Sequence, residues 1–109
     1  FDFLQLELGK ISGLTPKIHL YTVPGQTYYE ASRKLVLRGA DGVVFVADSA
    51  AYRVYDNLES WRGMRAHLQS LGVSLREIPI IVQFNKQDLP NALNEASMKQ
   101  LLRVNGRPT

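Results

Sequence analysis

Residues 80–88 read Ile80-Ile81-Val82-Gln83-Phe84-Asn85-Lys86-Gln87-Asp88, a nearly continuous apolar run that ends abruptly in polar residues. Such a run predicts a strand that is buried on both faces, as in a parallel sheet. In open α/β sheets, ligands bind just beyond the carboxyl ends of the strands. We therefore expect the polar residues 85–88 to lie where a ligand binds.

The chemistry of these polar residues suits guanine. A carboxylate at Asp88 can accept hydrogen bonds from both N1–H and the 2-amino group of guanine, whereas adenine has an acceptor at N1 and no 2-amino group. A site built on such bonds rejects a ligand without those donors by roughly 10⁴-fold or more. The stem of Lys86 can lie along the flat base, and the Asn85 amide can tie neighbouring loops together. The alternative is an ordinary polar turn, but the position directly after a predicted buried strand favours guanine.

A second stretch, Thr22-Val23-Pro24-Gly25-Gln26, also leaves a predicted strand and enters a predicted helix. A helix N-terminus offers unpaired N–H groups and a partial positive charge to an anion. Gly25 lets a phosphate approach the backbone closely, and Gln26 can hold a water in line with a phosphorus atom. A Pro-Gly turn without function explains this pentapeptide equally well.

The remaining pattern predicts the order β-β-α-β-α-β-α, which is a three-layer α/β domain. Residues 1–8 and 17–23 alternate, with Leu4 and Leu6 on one face, and predict an antiparallel hairpin in which His19 packs or lies at the rim. Residues 43–47 predict another strand buried on both faces, followed by Asp48-Ser49 as a loop and helix-capping pair. Three helices are predicted. The first follows residue 26, ends at Gly39 as C-cap and places Tyr28, Ala31 and Leu35 on one face. The second is capped by Asp56 and has an apolar stripe of Leu58, Trp61, Met64, Leu68 and Leu71, and the third covers 94–104 with Met98, Leu101 and Leu102 on one side.

Composition bounds the class of protein. The 109 residues form at most one domain, and 45% hydrophobic with 21% charged residues indicates a globular chain. The absence of cysteine excludes a disulfide framework and fits a reducing compartment, so we expect a cytoplasmic protein. No apolar run reaches membrane-spanning length. The net charge of +3 is spread along the chain, which gives only weak support to nucleic-acid or membrane-surface binding.

Taken together, residues 24–26 and 85–88 make the chain resemble the Ras-like small GTPases. The resemblance is strongest to the MglA group of bacterial gliding-motility and cell-polarity GTPases, through residues 1–4, 19–26, 31–35, 37–39 and 41–49. Residues 85–92 also resemble Arf-type GTPases, the second family. The resemblance implies a P-loop NTPase fold of the Ras-like type, a three-layer sandwich with a mostly parallel sheet and one antiparallel hairpin.

The resemblance also implies a switch that is on with GTP, off with GDP, and hydrolyses GTP slowly. Thr22, Pro24 and Gly25 would lie at the γ-phosphate and Gln26 would orient the attacking water, while Asn85, Lys86 and Asp88 would hold guanine. Residues 26–38 would form the second switch, with Tyr28 and Tyr29 facing effectors and a roadblock-type activating protein similar to MglB. Mg²⁺ is expected in the full-length protein, but no metal ligand is assigned here, because Thr22 stands where most Ras-like proteins have an aspartate. The alternative is a guanine-nucleotide-sensing or protein-interaction scaffold without significant turnover.

The phosphate-binding pattern Gly-x-x-x-x-Gly-Lys-Ser/Thr does not occur in the sequence. Under the resemblance, residues 1–109 are therefore expected to be the central part of one small-GTPase domain, without its phosphate-loop strand and its C-terminal strand and helix. A sheet that lacks its middle strand has unpaired edges. We accordingly expect this stretch alone to bind GTP poorly or not at all. Arg33, Arg38 and Arg53 are not assigned a catalytic role, since surface or partner contacts explain each of them.

Overall fold

The computed structural model describes residues 2–23, 30–104 and 106–109. It divides into two compact units, residues 1–36 and 37–109. The described elements follow the predicted order. They are β1 (Asp2–Glu7), β2 (Lys17–Thr22), α1 (Glu30–Leu37), β3 (Val43–Asp48), a 3₁₀ turn (Ala51–Arg53), α2 (Val54–Ser70), β4 (Ile80–Asn85) and α3 (Glu95–Leu102).

The first unit contains the predicted antiparallel hairpin. Leu4 pairs with Leu20 and Leu6 pairs with Ile18, so the apolar residues share one face as the alternation predicts. At the tip, Ser12 and Gly13 both have positive φ values, 52° and 81°, as the two central residues of a type I′ turn require. On the opposite face, the ring of Phe3 contacts those of His19, edge-on at 5.5 Å, and Tyr21, at 4.9 Å. His19 is thus an exposed rim residue, as predicted.

Helix α1 ends before Gly39, whose φ of +80° closes the helix at the predicted residue. The predicted start of this helix, with Tyr28, lies outside the described residues. Leu35 does not belong to a buried stripe, because 63% of it is exposed. Leu37, which is the last residue of the helix and the first of the second unit, packs against that unit's buried cluster.

In the second unit, β3 and β4 pair in parallel, in register from Val43 opposite Ile80 to Asp48 opposite Asn85. Helices α2 and α3 contact each other, and their apolar residues pack on one face of this sheet. The buried cluster comprises Phe45, Ala47, Trp61, Met64, Leu68, Ile78, Ile80, Val82, Met98, Leu102 and Val104. Trp61 meets Phe45 edge-to-face at 5.0 Å and is a core residue, as predicted.

The prediction that both strands are buried on both faces is wrong for the described residues. Val44, Val46 and Ile81 point to the face opposite the core and are 54%, 53% and 46% exposed. A parallel sheet normally needs cover on both faces. The described part of this unit supplies cover on one face only.

Two helix details differ from the sequence-based predictions. Helix α2 begins at Val54, so Asp56 is not its N-cap but lies in the first turn, where it accepts a 2.8 Å bond from Arg53. Helix α3 begins after Asn94, whose Oδ1 accepts from the Ser97 N–H at 2.8 Å. Leu101 is 46% exposed, because residues 98 and 102, four apart, already define the buried face of this short helix.

Candidate functional site

The carboxyl ends of β3 and β4 lie side by side. Asp48 and Asn85 are the last residues of the two strands and are partners in the parallel register. The Ser49 N–H donates to the Asn85 carbonyl at 3.0 Å, which extends the pairing by one step. The polar stretch 85–88 therefore begins at a strand end, as the sequence predicts, and a second polar stretch begins next to it.

An ion pair joins the two strand ends. Lys86 Nζ lies 2.9 Å from Asp48 Oδ2, and 18% of the Asp48 side chain is exposed against 53% of that of Lys86. Lys86 has a left-handed backbone, with φ of +64°. A non-glycine residue in that region costs of order 1–3 kcal/mol and persists only where its surroundings hold it. The ion pair is one such restraint, and it directs the Lys86 ammonium group toward β3.

Asp48 is held in its ionised form. The hydrogen bond from Lys86, and then that from the Ala50 N–H at 3.0 Å, lower the pKa of the Asp48 carboxyl below its usual value. Arg53 Nε lies further away, at 3.6 Å. The predicted helix-capping role of Asp48-Ser49 is wrong: neither side chain caps the 3₁₀ turn or α2. Asp48 instead accepts a hydrogen bond from the Ala50 N–H, which closes a turn, and forms the ion pair with Lys86.

Helix α2 fixes the end of β3 through Asn57. Its buried side chain accepts from the Asp48 N–H at 3.1 Å and donates to the Asp48 carbonyl at 2.7 Å. The two bonds satisfy both backbone groups of Asp48 where the strand ladder stops. The sequence offered no signal for Asn57, since a single asparagine on a helix has many possible environments.

Gln87 ties the two loops together. Its Nε2 donates to Ser49 Oγ at 2.7 Å and to the Leu93 carbonyl at 2.9 Å. The Leu93 N–H in turn donates to the Ser49 carbonyl at 2.8 Å. From the sequence, this tying role was predicted for the Asn85 amide. Within the ranges that the structure describes, the Asn85 side chain makes no hydrogen bond, so its tying role stays a prediction, and the link seen there is made by Gln87.

Asp88 is exposed. No donor from residues 2–23, 30–104 or 106–109 engages its carboxylate. Lys86 and Gln87 thus attach the loop to neighbouring segments, whereas the Asp88 carboxylate makes no hydrogen bond to the described residues.

The second predicted motif is described only in part. Thr22 is the last residue of β2 and pairs with Asp2 across the hairpin. Pro24, Gly25 and Gln26 lie outside the described residues. Within the described chain, no group of three or more His, Cys, Asp or Glu side chains could hold a metal ion.

The chain is similar to proteins of known family. The family model "ADP-ribosylation factor family" matches residues 5–106. The chain belongs to the Arf family. All of the predicted site residues lie inside the matched range. The match confirms the predicted resemblance to Ras-like small GTPases and the P-loop α/β fold class, to which the parallel β3–β4 sheet and the antiparallel hairpin conform.

Two curated relatives sharpen this assignment. The Arf-family chain is 51% identical over 108 residues to "Mutual gliding-motility protein MglA" of Myxococcus xanthus (strain DK1622), covering 99% of the chain and 55% of that protein. It is 34% identical over 101 residues to "ADP-ribosylation factor-like protein 4D" of Mus musculus, covering 93% of the chain and 47% of that protein. The chain thus spans about half the length of the curated relatives it matches. In the described part of this Arf-family chain, no helix is long and apolar enough to cross a membrane.

Proposed function

We propose that residues 1–109 are the central part of a small-GTPase domain that binds GTP and GDP and hydrolyses GTP as a molecular switch. Membership of the Arf family supports this function. The observation that carries it is the loop at residues 85–88, which begins at the carboxyl end of β4 and is braced by Lys86 on Asp48 and by Gln87 on Ser49. Asp88 is exposed at its tip.

In this proposal Asp88 accepts the N1–H and 2-amino donors of guanine. Two hydrogen bonds to a charged group contribute about 1.5–3 kcal/mol each. The Lys86 stem covers the base while its ammonium group stays on Asp48 Oδ2. Asn85 supplies a side-chain amide that the described residues leave unengaged. The ion pair thereby sets the position of the lysine stem before the nucleotide arrives.

The phosphate end of the nucleotide is assigned to residues 22–26. Pro24 shapes the turn, Thr22 offers a hydroxyl at the phosphate end, and the N–H of Gly25 donates to the γ-phosphate. Gln26 orients the attacking water, which is its catalytic role. Mg²⁺ is expected to accompany the nucleotide in the full-length protein, where it would neutralise phosphate charge.

Nucleotide choice tests the guanine assignment. In the full-length protein, we expect isothermal titration to show GDP binding at least about 10³-fold tighter than ADP binding. Asp88→Asn replaces an acceptor by a donor, so it should weaken GDP and improve xanthosine diphosphate, which has a carbonyl in place of the 2-amino group. Glu77→Gln, an exposed carboxylate at the other end of β4, is the matched control. Unchanged GDP affinity in Asp88→Asn would exclude the proposed role. The 109-residue stretch alone is expected to bind GDP poorly or not at all.

A second candidate function is a guanine-nucleotide-sensing scaffold without significant turnover. Gln26 favours the switch, and Thr22 leaves room for the scaffold, because a hydroxyl carries no formal charge where most Ras-like proteins have an aspartate. Single-turnover hydrolysis by the full-length protein separates the two candidates. Loss of hydrolysis with retained GTP binding in Gln26→Leu supports the switch. Equal, negligible turnover in wild type and variant supports the scaffold.

The similarity to the gliding-motility protein supports a finer proposal, a cytoplasmic switch in cell polarity and motility. Its second switch, residues 26–38, would bind effectors and a roadblock-type activating protein. We expect GTP-dependent binding of such a protein, measured by co-elution, to be weakened by Tyr28→Ala with Tyr29→Ala and not by Tyr52→Ala, an exposed tyrosine outside that segment. Equal binding with GDP and GTP would contradict this proposal.

A further inference from the structure

A cluster of arginines lies around a cavity at the other end of β4. The cavity has a volume of about 490 Å³ and is lined by Arg65, Gln69, Val73, Ser74, Leu75, Arg76 and Arg107. Three separate segments each contribute one guanidinium group: α2, the loop that leads into β4, and the segment after α3. No Asp or Glu lines the cavity.

This cavity is distinct from the proposed guanine site. Residues 73–76 precede the first residue of β4, whereas the stretch 85–88 begins at its last residue. The six residues of β4 separate them by about 20 Å, at about 3.3 Å per residue. A nucleotide bound by Asp88 therefore does not account for the arginines.

The three arginines are unpaired within the described residues. None of the ion pairs or side-chain hydrogen bonds that the structure shows there involves Arg65, Arg76 or Arg107. The C-terminal end of α2 carries a partial negative charge, which stabilises a nearby cation by about 0.3–1 kcal/mol. That effect accounts for one arginine at this helix end, not for three around one cavity.

The position of Arg107 is fixed by its ring contact and by the backbone hydrogen bonds around it. Its guanidinium carbon lies 5.7 Å from the centre of the Trp61 ring. Its N–H donates to the Val104 carbonyl at 3.1 Å, and the next residue, Pro108, accepts from the Val82 N–H at 2.9 Å. The segment that carries Arg107 is thus anchored on both the core and the edge of β4, and less side-chain entropy is lost when an anion binds.

We propose that this cavity binds an acidic segment of a partner protein. Guanidinium groups pair with carboxylates through two parallel hydrogen bonds, and three unpaired arginines complement a segment with several acidic side chains. Val73 and Leu75 add apolar surface to the lining, which suits a segment that places an apolar side chain between its carboxylates. Guanidinium groups also pair with phosphates, so the apolar part of the lining is what favours a peptide segment over a free phosphate group.

Fluorescence anisotropy with a labelled Glu-Glu-Leu-Glu-Glu peptide tests this proposal on the full-length, GDP-loaded protein. We expect saturable binding, with the Gln-Gln-Leu-Gln-Gln peptide at least about tenfold weaker. Arg65→Glu and Arg76→Glu should each weaken the acidic peptide by at least about tenfold. Arg62→Glu, on the same helix but outside the lining, makes the same change in net charge and should have less than a threefold effect.

Two outcomes would overturn the proposal. One is equal weakening by Arg62→Glu and Arg65→Glu, which would mean that the peptide senses only the general positive charge. The other is displacement of the peptide by millimolar pyrophosphate at constant ionic strength, which would assign the cavity to phosphate groups instead. GDP affinity, measured in parallel, should be unchanged in every variant, so failure of the guanine assignment and failure of this proposal remain distinguishable.

Discussion

The hairpin and the parallel β3–β4 sheet are built to the same size but differ in burial. Each has two strands of six residues in continuous register. Every residue of β2 is exposed, whereas β3 and β4 alternate between buried and exposed positions. The difference follows from the helices, because α2 and α3 bring amphipathic faces to the parallel pair. A two-stranded sheet without such cover is marginally stable by itself. The comparison shows that the local sequence pattern determines which strands pair, whereas burial depends on whether helices pack on the sheet.

The largest expected effect comes from removing core volume. Leu68 is fully buried in α2, and Leu20 in the hairpin is 41% exposed. In the full-length protein, Leu68→Ala should lower the free energy of unfolding by about 2–5 kcal/mol. The same truncation at Leu20 should cost less than about 1 kcal/mol, since part of that side chain is in water already. Urea denaturation measures both.

This pair of variants also tests whether the hairpin and the parallel sheet differ in burial. A cost at Leu20 as large as that at Leu68 would mean that residues outside the described ranges cover the hairpin face. The same test applied to Val46→Ala, on the uncovered face of β3, extends it to the parallel sheet. A small decrease in the free energy of unfolding for both Leu20→Ala and Val46→Ala would support the difference in burial.

The next largest effect is expected from loss of the hydrogen bonds between Asn57 and the Asp48 backbone at the end of β3. Asn57→Ala removes both hydrogen bonds to the Asp48 backbone and leaves its N–H and carbonyl without these partners. Each part-buried group left unpaired costs about 1–3 kcal/mol, and since both groups are only part-buried we expect the lower end of the sum, a decrease of about 2 kcal/mol in the free energy of unfolding. Gln5→Ala in the exposed hairpin removes a polar side chain of similar type and should change stability by less than about 0.5 kcal/mol.

Hydrogen exchange gives an independent reading of the same variant. In Asn57→Ala the Asp48 amide should exchange faster, because its acceptor is gone, while amides in the middle of β4 keep their protection. Unchanged exchange at Asp48 together with unchanged stability would show that Asn57 does not hold the strand end.

The fold was largely predictable from the sequence, and the site only in part. The runs 43–47 and 80–84 and the helical stripe through Trp61 and Leu68 carry enough pattern to predict element type and order. The two-sided burial of the strands was predicted wrongly, because a run such as Val43–Ala47 shows that residues are apolar and not which face is covered. Leu35 and Leu101 were misplaced for a related reason, since short helices allow more than one choice of buried face.

At the strand ends, the sequence placed residues 85–88 correctly but missed how they are supported. The signal for Asp48 was present: an apolar run followed by polar residues occurs twice, and parallel strand ends meet at one edge of a sheet. Gln87 was not predicted to bridge to Ser49, because that contact depends on where the Leu93 backbone returns, which no local pattern encodes. The functional roles of the predicted site residues stay predictions.

The smallest expected effect is electrostatic. Asp48→Asn removes the ion pair with Lys86, and since Lys86 is half exposed the loss should be at most about 1 kcal/mol at pH 7. Glu7→Gln, which removes an exposed carboxylate opposite Lys17 in the hairpin, is the matched control and should have almost no effect. The contrast between the two variants isolates the part-buried carboxylate from the exposed one.

The sign of the pH dependence separates this ion pair from simple loss of a polar contact. Because Lys86 and the Ala50 N–H lower the folded-state pKa of Asp48 below the ordinary 3.8, its stabilising contribution is fully present above that value and is lost as pH falls through the folded-state pKa. The difference in unfolding free energy between wild type and Asp48→Asn should therefore stay constant from pH 7 to about pH 5 and shrink below pH 4. A difference that persists unchanged to pH 3 would mean that geometry, rather than the charge on Asp48, holds Lys86 at the strand end.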